Sequence, residues 1–174
     1  LGIETICHKE NIYPKFQAEG NAAQFAIPFA KHFCFGDGVD VGCAKQEWAF
    51  PGAMLIDPKI DSRYHAMNIP VENLDYVFSS HCLEHVNDWI GVLDYWTSKL
   101  VVGGVMFLYL PDFSQTYWRP WSNRKHKHCL TPEIVSSYFI DNELYTKVYV
   151  SGIDLNNSFV VVAEKMIACS GSKR

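Results

Sequence analysis

Two carboxylates, Asp40 and Asp57, bracket a turn of small residues, Gly42-Cys43-Ala44. Asp40 lies inside the short apolar run Val39 to Val41, and Asp57 caps the run Ala53 to Ile56. A strand, a turn that lets backbone approach a ligand, and an acid at the tip of the next strand make a nucleoside-binding device. The acid can accept hydrogen bonds from two ribose hydroxyls. Histidines supply the second chemistry. His81 follows the strand-like run Leu74 to Ser79, His85 comes one turn later, and His126 and His128 sit in a basic loop. Imidazole is the natural general base near neutral pH. All four are candidate bases, with His81 and His128 the ones assigned to catalysis.

The nucleoside reading narrows on charge. A dinucleotide site requires G-x-G-x-x-G opening a full helix, because pyrophosphate rests on the N–H groups of that helix. Here Ala44 replaces the second glycine, Glu47 stands at the third position, and only a few residues separate Ala44 from Gly52. Asp40 and Glu47 would repel a pyrophosphate. S-adenosylmethionine carries no phosphate, and its ammonium suits an acid such as Asp40. There is no G-x-x-x-x-G-K-[ST] and hence no P-loop.

The elements that must position these groups follow from periodicity. Asn21 to Phe35 reads as a helix with Asn21 as cap and an aromatic face expected to pack on a sheet edge. Residues 1–19 are weakly patterned. Strands are expected at Val39 to Val41, Ala53 to Ile56 and Leu74 to Ser79, with a brief one at Tyr64 to Met67. The links around the second of these are close to the minimum for a parallel crossover, so at most one helical turn is expected after Ala44. Trp89, Val92, Leu93, Trp96 and Leu100 form one stripe of a helix capped by Asn87 or Asp88. Val105 to Leu110 is a near-continuous apolar strand of the type buried on both faces. Thr131-Pro132-Glu133 starts a further helix. Tyr145 to Val150 and Ser158 to Ala163 are spaced to pair antiparallel. The fold class is α/β: a Rossmann-like, mostly parallel sheet with helices on both faces, shortened first crossovers and a C-terminal antiparallel hairpin. Gly42 to Ala44, Asp57, Ser79 to His81 and Pro111-Asp112 then converge at the carboxyl ends of the strands, where such sheets bind ligands.

Composition sets the bounds. The 174 residues suit one domain, and 48% hydrophobic with 20% charged residues is a globular balance. A formal net charge of -4 argues against holding nucleic acid by bulk electrostatics. The six cysteines contain no C-x-x-C pair and read as reduced thiols, giving an expected cytoplasmic location. No apolar run reaches membrane-spanning length.

The combination Val39-Asp-Val-Gly-Cys-Ala44, Leu55-Ile-Asp57, Leu74-Asp-Tyr-Val-Phe-Ser-Ser-His-Cys-Leu-Glu-His85 and Leu100-Val-Val-Gly-Gly-Val-Met-Phe-Leu-Tyr-Leu-Pro-Asp112 resembles class I S-adenosylmethionine-dependent methyltransferases of the small type 11 group. The resemblance spans about residues 36 to 112, and the closing hairpin also fits. It implies cofactor contacts at Asp40, Gly42, Cys43 and Ala44, ribose binding by Asp57 and adenine contacts near Asn68 and Ile69. Ser79, Ser80 and His81 would touch cofactor or substrate. It also implies that Glu84-His85 mainly shapes the site. Ala44 stands where the family usually has glycine.

A single domain is expected over 1–174: a helical cap at 1–35, a cofactor half at 36–112, and a substrate side at 113–174. Trp118, Arg119, His126 and His128 are the candidate acceptor-binding residues. The cluster Arg119, Arg124, Lys125 and Lys127 suits an anionic or sugar-derived small molecule. A solvated basic loop, with Trp118 and Trp121 closing the core's edge, accounts for the same residues. No metal ligands are assigned. Two alternatives stand beside methyl transfer: a cofactor-binding protein without turnover, and a metal-site hydrolase built from His81, His85, His126, His128 and Cys129. The latter lacks H-E-x-x-H spacing, and His126-x-His128 has no carboxylate close by in sequence.

Overall fold

A computed structural model describes residues 4–8, 10–15, 21–116, 119–120 and 125–166. The described residues contain eight strands: β1 Thr5–His8, β2 Asn11–Pro14, β3 Gly38–Val41, β4 Met54–Ile56, β5 Leu74–Ser80, β6 Leu100–Pro111, β7 Tyr145–Val150 and β8 Ser158–Lys165. Three helices accompany them: α1 Ala23–Ala30, α2 Trp89–Lys99 and α3 Pro132–Asp141. β3 to β8 form one six-stranded sheet in the order β4-β3-β5-β6-β8-β7. β4, β3, β5 and β6 are parallel, and β8 runs antiparallel between β6 and β7. The order reverses direction from β3, which puts the crevice between the carboxyl ends of β3 and β5.

Strand period sorts side chains between two cores. Val39, Val41, Val77, Met106 and Leu108 face one side and bury Leu93 and Trp96 of α2 and Val135 and Phe139 of α3. Tyr76, Phe78, Phe107 and Tyr109 face the other and bury Ala23, Ala26 and Ala30 of α1 together with Phe50. Helices thus cover both faces, as expected. Asp88 caps α2 by accepting from Gly91 N, and Thr131 caps α3 by accepting from Ile134 N.

Several expectations are corrected. No strand forms at Tyr64 to Met67. The segment turns back on itself through an isolated bridge between His65 and Asn68, and Tyr95 and Trp96 of α2 hold it by hydrogen bonds to Ile69 N and Ala66 O. α1 starts at Ala23 without a side-chain cap, so Asn21 does not cap it. The aromatic residues of this segment reach from the sheet edge to its middle: Phe29 packs on Tyr149 of the edge strand β7, and Phe29 and Phe33 pack on Phe107. β1 and β2 pair antiparallel ahead of α1, so the described part of the first 35 residues contains strand as well as helix. The crossover from β3 to β4 contains a single 3-10 turn, Gln46–Trp48, as its length required. Among the described residues no helix is long and apolar enough to cross a membrane.

Candidate cofactor and acceptor site

The turn after β3 is shaped by backbone constraints. Gly42 has φ +88, and a Cβ there would lie 2.5 Å from both Cβ and Sγ of Cys82. Glycine is therefore required on two counts: left-handed backbone and close packing. Ala44 also adopts positive φ, +60, which explains why small residues alone occupy this turn. Cys43 between them is buried. The N–H of Ala44 donates to Asp57 Oδ2 (2.9 Å), and Lys59 N donates to Asp57 Oδ1 (2.8 Å). The acid at the tip of β4 is thus fixed against the turn. A carboxylate offers about four lone-pair sites, so each oxygen retains capacity for a ribose hydroxyl.

Asp40 is only 1% exposed. Its Oδ2 accepts from Phe50 N at 2.7 Å, which anchors the abbreviated crossover. Burial, with the neighbouring Asp57 charge adding to it, pushes its carboxyl up to about 7. Ser79 Oγ donates to Val41 O across the crevice, tying β5 to β3. Ser80 Oγ is buried with no hydrogen-bond partner among the described residues. Asn68 is exposed and donates to Arg63 O, whereas the Ile69 side chain sits in the core beside α2.

The histidines separate into two groups. His128 Nε2 lies 2.7 Å from Val86 O; a carbonyl only accepts, so that nitrogen carries the proton and fastens the loop. His81, His85 and His126 instead surround Glu84. Glu84 Oε1 is 3.9 Å from His81 Nδ1, 3.6 Å from His85 Nε2 and 3.9 Å from His126 Nε2. His81, itself at positive φ, also places Nε2 3.0 Å from Ser158 Oγ at the start of β8. Burial first, then repulsion from His126 and His85, lowers its pKa to about 3. His81 is therefore neutral near pH 7 and a weak base.

Arg119 donates to Phe113 O and stacks over the Phe113 ring, so its guanidinium shapes its own loop. A groove of about 630 Å³ beside it is lined by Ser114, Ser151, Gly152 and Ile153 among others. Trp118 lies outside the described residues, as do Trp121 and Arg124. Sequence reading gave Glu84 only a shaping role and missed the turn that leads into β8. Glu84 is the hub of the histidine cluster, and the turn before β8 supplies Ser158 to His81, with Asp154 and Asn156 bonded to Tyr109 Oη. The polar run Asp154 to Ser158 between two apolar strands was the available signal.

The sheet order, the crevice after β3 and the acid ending β4 define the fold of the class I S-adenosylmethionine-dependent methyltransferases. Solved structures share this fold at low sequence identity. A methyltransferase from Thermotoga maritima, described as a possible histamine N-methyltransferase, matches with TM-score 0.68 at 15% identity, over 86% of this chain and 92% of that one. The N-methyltransferase NodS from Bradyrhizobium japonicum, in complex with S-adenosylhomocysteine, matches with TM-score 0.59 at 15% identity, over 86% and 87%. The plantazolicin methyltransferase BpumL, also with S-adenosylhomocysteine, matches with TM-score 0.57 at 11% identity, over 87% and 85%. No family model matches the sequence, and no curated protein matches it.

Proposed function

We propose that the protein transfers a methyl group from S-adenosylmethionine to a small-molecule acceptor. The observation that carries this reading is the fixed pairing of the Ala44 turn with Asp57 at the mouth of the crevice. The residues fit the cofactor. Asp57 keeps lone pairs for the ribose, the orphaned Ser80 Oγ lacks a partner that a polar cofactor group would provide, and a three-residue 3-10 turn offers no helix end to a pyrophosphate. Gly42, Cys43 and Ala44 would approach the nucleoside through backbone, with Asp40 beneath them.

Bound S-adenosylmethionine would supply an activated methyl group on a sulfonium. The chain's contribution is chiefly placement: a positioned acceptor converts a bimolecular encounter into a directed one. His81 sits at the crevice and is neutral, but a basicity this low favours orienting an acceptor through a hydrogen bond over abstracting its proton. His128, with Nε2 committed to Val86 O, supports the loop. His126, Arg119 and the loop 113–130 form the acceptor side, with Trp118 as a further candidate. The lysines of that loop support an anionic or sugar-derived acceptor. The five described cysteines are free thiols, which suits a reducing, cytoplasmic setting.

Calorimetric titration tests the reading. S-adenosylhomocysteine should bind the native chain, NADH should give no heat, and acceptor mixtures of phosphorylated, carboxylated and sugar compounds should yield S-adenosylhomocysteine from S-adenosylmethionine. Absence of S-adenosylhomocysteine binding would sink it. Binding without turnover on any acceptor class would favour the cofactor-binding alternative.

A further inference from the structure

Glu84 presents an electrostatic problem. It is 1% exposed, and neither carboxylate oxygen has a hydrogen-bond partner among the described residues. A buried carboxylate in that state is costly unless a proton or a cation compensates it. Imidazole nitrogens of three histidines face its Oε1. His85 Nδ1 lies 2.9 Å from Lys125 O; the carbonyl fixes the proton on Nδ1, so Nε2 turns its lone pair toward Glu84. A backbone carbonyl holding the far ring nitrogen is the usual support behind a histidine that ligates a metal. His126 is brought in by the same loop, whose Lys127 N donates to Glu84 O at 2.7 Å. Its ring stands edge-on to His85 with centroids 4.7 Å apart.

We propose that Glu84, His85 and His126 form a three-ligand site for a divalent transition-metal ion beside the cofactor crevice, with His81 at its border. One donor atom from each of the three lies within 4.8 Å of the other two. A tetrahedral zinc-type ion with bonds near 2.1 Å separates its donors by about 3.4 Å. The two Glu84–imidazole separations, 3.6 Å and 3.9 Å, lie a few tenths of an ångström from that value, and the donor atoms, all within 4.8 Å of one another, would draw together around an ion. Two imidazoles and one carboxylate favour zinc, cobalt or nickel over magnesium or calcium. Three protein ligands also leave a coordination position, the arrangement of metal sites that bind a reactant rather than only brace a fold. The ion site stands without the methyl-transfer reading. If that reading holds, the remaining position would hold an oxygen or nitrogen of the acceptor.

The test is direct metal binding by the full chain, stripped with a chelator and titrated with Co²⁺. The native protein should take up one ion per chain with the intense visible absorption of a four-coordinate site, and zinc should displace it. E84Q and H126A should each weaken Co²⁺ binding by at least ~100-fold. H32A should leave it unchanged, because His32 is exposed in the turn after α1 and takes no part in the cluster. Calorimetry with S-adenosylhomocysteine on the metal-free protein reports separately on the cofactor site. Failure of the native chain to bind Co²⁺ or Zn²⁺ stoichiometrically would overturn the proposal and assign the cluster to a shared proton. Unchanged binding in both E84Q and H126A would overturn it as well.

Discussion

The backbone N–H of Ala44 donates to Asp57 Oδ2 across 2.9 Å, so the turn after β3 and the acid ending β4 position each other. Two thirteen-residue-distant features become one device. Replacing Asp57 by Ala should therefore act twice. S-adenosylhomocysteine affinity should fall by more than tenfold, beyond about 1.4 kcal/mol. Stability should fall by about 1–3 kcal/mol, because the Ala44 and Lys59 amides lose their acceptor. Calorimetry and urea denaturation read the two effects separately.

Asp40 makes stability depend on pH. Its folded-state pKa of about 7 exceeds the ordinary 3.8, so between about 4 and about 7 the folded state holds a proton that the unfolded state has released. Its contribution must then decline as pH rises through that window. Asp40→Asn retains an acceptor for Phe50 N but cannot ionise. The native-minus-variant difference in urea midpoint should move against the native protein from pH 4 to pH 8, by an amount on the order of a few kcal/mol. A difference independent of pH would contradict a buried, proton-holding Asp40.

Gly42→Ala should be severely destabilising for its size. The added Cβ meets Cys82 at 2.5 Å in a left-handed backbone at φ +88. Strain and overlap together suggest a loss of about 2–4 kcal/mol, or roughly 5–15 °C in melting temperature for a chain of this length. Gly52→Ala is the informative control. It shares positive φ, +85, but nothing lies within 4 Å of its added Cβ, so it should lose less.

Tyr95→Phe tests the clamp that replaces the expected third strand. The phenol accepts from Ile69 N at 2.9 Å, and its removal leaves that amide without its partner. A loss of about 1–2 kcal/mol is expected, with hydrogen exchange accelerated in residues 61–73 and unchanged in β6.

Much of the fold was readable because local signals agreed. Asp88 and Thr131 cap the helices they precede, and the runs at Leu74 and Val105 became the two central parallel strands. The brief strand at Tyr64 to Met67 was misread because short apolar segments do not distinguish a strand from a clamped turn. Its conformation is set by Tyr95 and Trp96, about thirty residues away. The hairpin at residues 5–14 carried no clear alternation, so pairing rather than pattern defines it.

The sequence by itself determined the crevice: glycine and small residues where the backbone turns left-handed, one acid inside the first parallel strand and one at the end of the next, and too few residues for a pyrophosphate-binding helix. Those are local requirements of backbone sterics and charge. The histidines show what only tertiary structure decides. His126 and His128 are two residues apart and looked equivalent, yet one reaches Glu84 and the other fastens to Val86 O. Glu84 looked like scaffolding for its neighbour and proves to be the centre of the cluster. Residues 125–128 lie against the 3-10 turn Leu83–His85 that follows β5, and that long-range packing assigns each imidazole its partner.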